Sequence, residues 1–396
     1  MAQEFDPKNL DTQTLAVRAG VSRSSFGETA EAIYLTSGFV YDSAEAADAR
    51  FRGDEPGFVY SRYGNPTVRL FEERLAALDG AEFCYATSSG MSAVFNTLLA
   101  ALKAGDHVVA SRVLFSSCAY ILTTLLPRYG IATTFVDGAD LAAWETAFRP
   151  ETKVVLLETP ANPTLELVDI AAVAEIAHRH GAKLIVDNAL ASPVVQRPFQ
   201  FGADIVIYSA TKHIDGQGRC LGGAVLAERA WLETEFQPFL RHTGPCLSPF
   251  NAWILAKGLE TLELRVERQA RTAAAIAELA DGHKAVTRAL YPFLASHPQQ
   301  ALARKQMANG GTLVSLDLGS RDAAFAFLNA LDLVDISNNL GDSKSLATHP
   351  ATSTHRSVPE EERRAIGIGE GLVRLSVGLE SERDLLADIE RALDAA

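Results

Sequence analysis

Residues 183–213 read KLIVDNALASPVVQRPFQFGADIVIYSATKH. Two apolar runs of strand length lie inside this stretch, at 184–187 and 205–208, and each ends in polar residues. Runs this short and this apolar suit strands buried on both faces, as in a parallel sheet. Upstream, 83–87, 108–111, 133–136 and 154–158 have the same character, and segments such as 92–102 and 170–180 are long enough for crossover helices. The series predicts βαβ units, hence an α/β fold with a mostly parallel sheet covered by helices.

Downstream of the apolar run at 223–227 the pattern changes to a long helical stretch through 250–280, then isolated strand candidates at 312–318 and 373–377. That change predicts a smaller C-terminal α+β domain. A chain of 396 residues also exceeds the size at which single cores stop growing, about 250 to 300 residues. The expected division is an N-terminal arm over 1–62, irregular and suited to contacting a neighbouring subunit, an α/β domain over 63–257 and the α+β domain over 258–396.

Composition narrows the function classes. Hydrophobic residues make up 47% and charged residues 21%, as in ordinary packed proteins. A formal net charge of -13 without a Lys/Arg cluster argues against nucleic acid as a partner. The four cysteines are scattered and form no CxxC pair, and no His/Cys/Asp group has metal spacing, so neither a disulfide framework nor a metal is expected. No basic n-region opens the chain and no apolar run reaches about 18 residues, which makes the cytoplasm the expected location and no membrane an expected partner.

In open parallel sheets ligands bind beyond the carboxyl ends of strands. Three strand ends therefore carry weight: Asp187, closing KLIVD; Ser209, Thr211 and Lys212, closing IVIYSATK; and the YATSSGMS turn at 85–92, joining a strand to a helix with small residues. Each has a bland reading, as turn former, solvated lysine or helix cap. Together they supply what pyridoxal phosphate requires: a lysine for its aldehyde, an anion to keep its ring nitrogen protonated, and a helix N-terminus with hydroxyls to cradle its phosphate.

Four motifs extend this constellation: SATK at 209–212, LETPANPT at 157–164, YSRYGNPT at 60–67 and VRLSVGLE at 373–380. In this order and composition the chain resembles the Cys/Met-metabolism family of pyridoxal-phosphate enzymes, from about Thr14 to Glu390. The resemblance implies the aspartate aminotransferase-like transferase architecture, fold type I. It implies a Schiff base on Lys212, Asp187 facing the pyridine nitrogen, and Asn162 near the ring hydroxyl. It places Gly90, Met91, Ser209 and Thr211 at the phosphate, with Tyr60 and Arg62 reaching in from a neighbouring subunit, Tyr60 also assisting proton transfer. Arg374 would clasp the substrate carboxylate through a bidentate pair. Active sites shared in this way imply a homotetramer built as a dimer of dimers.

Within the family, IDGQGRCLGG at 214–223 and TGPCLSPFNAW at 243–253 are most similar to the sulfhydrylase branch, which joins sulfide to an O-succinylated homoserine in methionine biosynthesis. Two residues depart from the common pattern. Phe115 stands where a tyrosine usually stacks on the ring, and Ala189 where many members have threonine. Asn339 replaces a serine common in the lyases, a change the sulfhydrylases share. Cystathionine γ-synthase, γ-lyase and O-acetylhomoserine sulfhydrylase remain open on the same residues. A non-catalytic nucleotide-binding α/β protein would need a Walker lysine or a Gly-x-Gly-x-x-Gly turn, and neither is present.

Overall fold

The computed structural model describes residues 10–396; residues 1–9 of the expected arm lie outside the described residues. Two sheets organise the chain. The first has seven strands: β1 (Phe83–Thr87), β2 (His107–Ser111), β3 (Ala132–Val136), β4 (Thr152–Glu158), β5 (Lys183–Asp187), β6 (Ile205–Ser209) and β7 (Gly223–Ala227). Their order is β1-β7-β6-β5-β4-β2-β3. The mostly parallel sheet expected from 183–213 is present: β2 pairs in parallel with β3 and β4, β4 with β5, and β5 with β6. At one edge β1 and β7 pair antiparallel, with Phe83 opposite Ala227.

The second sheet has five strands, β8 (Arg288–Leu290), β9 (Leu313–Asp317), β10 (Asp335–Ile336), β11 (Leu346–Thr348) and β12 (Leu372–Ser376), in the order β10-β11-β12-β9-β8. The expected helical stretch through 250–280 is two helices, Pro249–Glu260 and Leu262–Asp281.

The chain forms two compact units that interleave along the sequence. One comprises residues up to Ala101, Tyr208–Thr211 and Arg219–Thr261; the other comprises Leu102–Ile207, Lys212–Gly218 and Leu262–Ala396. In the first unit the YSRYGNPT motif starts a helix, Pro66–Asp79. The Asn65 side chain accepts from the Thr67 and Val68 N–H groups, Pro66 occupies the first turn where no N–H is needed, and Gly80 closes the helix at φ 79°. This helix packs on Pro249–Glu260, and each helix buries apolar residues, Phe71 and Leu75 in the first and Leu255 and Leu259 in the second.

In the second unit the helices Leu262–Asp281 and Glu382–Asp394 cover the five-stranded sheet. Ile276, Val314, Leu316, Phe327, Val373 and Ile389, each at most 1% exposed, sit in one contiguous core. Burying a side chain of this size stabilises the fold by roughly 1.5–3 kcal/mol, so this core fixes β12, and with it Arg374, in place. No helix among the described residues is long and apolar enough to cross a membrane.

Candidate active site

Parallel pairing aligns the carboxyl ends of the central strands. Glu158 at the end of β4 lies opposite Asp187 at the end of β5, and Asp187 opposite Ile207 in β6. Two carboxylates thus sit side by side at the sheet's rim. Glu158 is 2% exposed and collects two backbone donors, the Phe115 N–H at 2.7 Å and the Asn162 N–H at 3.0 Å. Asp187 accepts the Ala189 N–H at 3.1 Å. Burial raises both carboxyl groups, and the charge of Asp187 pushes Glu158 up further. Two neighbouring buried carboxyl groups resist holding two full charges without a cation, so this rim favours a positive group beside it.

Glu158 was not singled out from the sequence, although the rule that found Asp187 applies to it: it is a carboxylate closing a buried strand. Its two N–H partners fix the backbones of Phe115 and Asn162, both of which the sequence placed at the cofactor.

Lys212 lies three residues beyond β6. Its Nζ donates to the Asn339 side-chain oxygen at 2.7 Å. Burial, with Arg374 nearby, pulls its pKa down to about 8, so about a tenth of the amine is neutral at pH 7, far more than for a free lysine. The Asn339 segment is held close by Gly341, at φ 73°, where a Cβ would come within 2.6 Å of the His213 backbone nitrogen. His213 itself is buried, hydrogen-bonded to Thr312 at 2.7 Å, and kept neutral with a pKa near 4 by burial.

Arg374, in β12, is 1% exposed. Its Nη1 donates to Asn162 Oδ1 at 2.8 Å, and its Nη2 to the carbonyls of Asn338 at 3.0 Å and Asn339 at 2.9 Å. All three acceptors are neutral oxygens, and Nε is buried with no partner. Burial alone lowers the guanidinium's pKa to about 10. A buried cation without a counter-anion is costly unless an anion arrives. Lys212, Asn339, Arg374 and Asn162 thus form one hydrogen-bonded chain in the second unit.

The first unit carries the turn 88–90. Gly90 begins the helix Gly90–Ala101, and a Cβ on it would stand 2.6 Å from the Ser209 Cβ. Only glycine lets the helix N-terminus approach Ser209 this closely. Met91 follows in the same first turn, where N–H groups have no intrahelical partner. Thr211 exchanges hydrogen bonds with Gly222, accepting its N–H at 3.1 Å. Tyr60 is 41% exposed, and the Arg62 guanidinium stacks 5.3 Å from its ring centroid while donating to the Arg241 carbonyl.

In the second unit a lysine of lowered basicity and a buried carboxyl group at a strand end, and in the first a helix N-terminus opened by an obligatory glycine, are each of the kind that pyridoxal phosphate requires. Residues 13–394 match the family model described as Cys/Met metabolism PLP-dependent enzyme. The chain belongs to this family. A relative named O-succinylhomoserine sulfhydrylase, from Mycobacterium tuberculosis, is 54% identical over 98% of this chain and 97% of its own. One of the same name from Pseudomonas aeruginosa is 49% identical over 100% of both chains. Among solved structures, the metY protein of Campylobacter jejuni superimposes with a TM-score of 0.93 at 30% identity, covering 97% of this chain and 100% of that one. That structure carries a pyridoxyl-lysine phosphate. This Cys/Met-metabolism enzyme therefore uses pyridoxal phosphate and acts on a small amino-acid substrate.

Proposed function

We propose that the enzyme catalyses γ-replacement, converting O-succinylhomoserine and sulfide into homocysteine and succinate. The observation that carries the reading is Arg374, a buried guanidinium with only neutral partners, tied through Asn339 to the Nζ of Lys212. An amino-acid carboxylate supplies the missing anion and, once held there, presents its α-carbon to the lysine.

Pyridoxal phosphate, when bound, supplies an electron-withdrawing ring that takes up the electron pair left at the α-carbon. Asp187 would face the ring nitrogen and hold it protonated. Gly90, Met91, Ser209 and Thr211 would hold the phosphate. Lys212, once released by the substrate amine, is the base: as a neutral amine it takes the α-proton and can then move the β-proton. Tyr60, contributed with Arg62 by a neighbouring subunit of a homotetramer, would assist proton transfer at the substrate amine.

Phe115 favours an acyl leaving group. It offers an apolar ring face but no proton. A carboxylate leaving group, with a conjugate acid near pKa 4, departs without an acid catalyst, whereas a thiolate near 8.5 benefits from one. The two sulfhydrylase relatives, at 54% and 49% identity, point the same way.

The test is a product assay with O-succinyl- and O-acetylhomoserine, each offered sulfide, cysteine or no nucleophile. Homocysteine from the succinyl ester and sulfide, at a kcat/KM at least tenfold above the other pairings, is the expected result. Cystathionine as the preferred product would make the enzyme a cystathionine synthase, and oxobutanoate without added nucleophile would make it a lyase.

A further inference from the structure

The second unit contains a cavity of about 380 Å³ whose walls carry both signs of charge. This volume falls within the range of small-molecule sites, roughly 300–1,000 Å³. Arg112 and Arg288 supply two guanidinium groups, and Asp137 and Glu166 two carboxylates. The Thr164 side chain also lines it: the residue is 8% exposed and its hydroxyl is buried with no hydrogen-bond partner. An unpartnered buried hydroxyl is uncommon, because it forfeits the hydrogen bonds it had in water. The rest of the lining includes Val113, Leu290 and Ile366, which make one part of the wall apolar.

We propose that this cavity binds a free α-amino acid with an apolar side chain. The ammonium of such a ligand fits between Asp137 and Glu166. Burial and the charge of Asp137 raise the Glu166 carboxyl group and Arg112 offsets them only in part, so a further cation between the two carboxylates relieves a standing cost. The ligand carboxylate is matched by the two guanidinium groups, and the Thr164 hydroxyl gains the partner it lacks. A simple anion would meet the acidic pair, and a simple cation the basic pair. Only a zwitterion answers both, and the apolar wall favours a hydrocarbon side chain over a polar one.

The cavity lies behind the reaction site along the chain. Val113 precedes Phe115 by two residues, and Thr164 follows Asn162 by two. A ligand there touches the segments that carry both residues.

Calorimetry on holoenzyme reduced with borohydride, so that the cofactor is fixed on Lys212, tests this with L-norleucine as the probe. The expected result is one equivalent bound per chain, at least tenfold weaker in Arg288→Ala and in Glu166→Gln, and unchanged in Arg374→Ala. Hexanoate, which lacks the ammonium, should bind at least tenfold more weakly than norleucine. Arg288 is exposed at the first position of β8, so that variant folds even if Glu166→Gln does not. No binding, binding as tight in Arg288→Ala as in wild type, loss of binding in Arg374→Ala, or equal affinity for hexanoate would each overturn the proposal.

Discussion

Two arginines are almost wholly buried, Arg74 at 0% and Arg374 at 1% exposure, and their surroundings differ in one respect. Arg74, in the helix Pro66–Asp79, pairs with Glu31 at 2.7 Å and Glu260 at 3.1 Å and also donates to the carbonyls of Ala19 and Ala256. Lys257 completes the cluster by contacting both glutamates. Arg374 has acceptors of comparable length but no anion. Equal burial therefore means two things: a closed charge account in the first unit and an open one at β12. On the proposed reading, net charge at the buried group, rather than burial, separates a structural arginine from a ligand-binding one.

Several substitutions sharpen that contrast. Lys212→Ala should have the largest effect, a loss of roughly 10⁴-fold or more in kcat, together with loss of the visible absorbance of the bound cofactor; a normal spectrum with turnover would remove the premise on which Arg374's role rests. Arg374→Ala should lower kcat/KM for the amino-acid substrate by about 10³-fold, the loss of a buried charge-assisted pair, while thermal stability of the substrate-free enzyme stays within about 1 kcal/mol of wild type, because no carboxylate is stranded.

Arg74→Ala should do the reverse. It leaves Glu31 buried beside a single remaining cation, so chemical denaturation should show a loss of about 3 kcal/mol or more, with kcat per folded molecule little changed. The pH dependence follows the sign of the Glu31 shift. Hydrogen bonds from Lys257 and Arg74 outweigh burial and lower that carboxyl group from 4.5 to about 2. Its contribution is therefore present above pH 4.5 and lost as pH falls toward 2, so the gap between wild type and Arg74→Ala should narrow across that window.

Asn339→Ala is the smallest expected change. Removing one hydrogen-bond acceptor from Lys212 should cost about 1 kcal/mol, near fivefold in kcat, and should shift the acidic limb of the pH–rate profile downward, since the protonated amine loses the acceptor that favours it. An unaltered profile would separate Lys212 from the Arg374 chain.

Much of the first sheet was legible because its strands are apolar on both faces and end abruptly. The reading at 83–87 coincides with β1, and those at 108–111, 133–136, 184–187 and 205–208 each fall one residue short at one end. The second sheet was partly hidden. β8, β10 and β11 are three, two and three residues long, too short for any period to register. Nor does periodicity mark the break between the helices at Thr261, which interrupts an otherwise continuous apolar face.

At the site, Lys212 and Asp187 were readable as strand-end polar groups. The link between Lys212 and Arg374 was not, because it runs through Asn339, 127 residues from the lysine. Glu158 went unread for a different reason: it sits inside a motif whose asparagine drew the attention, and its importance lies in two N–H groups that no side-chain pattern encodes.

Asn339 offers its main-chain oxygen to Arg374 and its side-chain oxygen to Lys212. A shift of this single residue would displace both basic side chains together, so if the proposed reading holds, efforts to retune the enzyme toward bulkier substrates should leave 338–342 untouched and reshape the walls elsewhere.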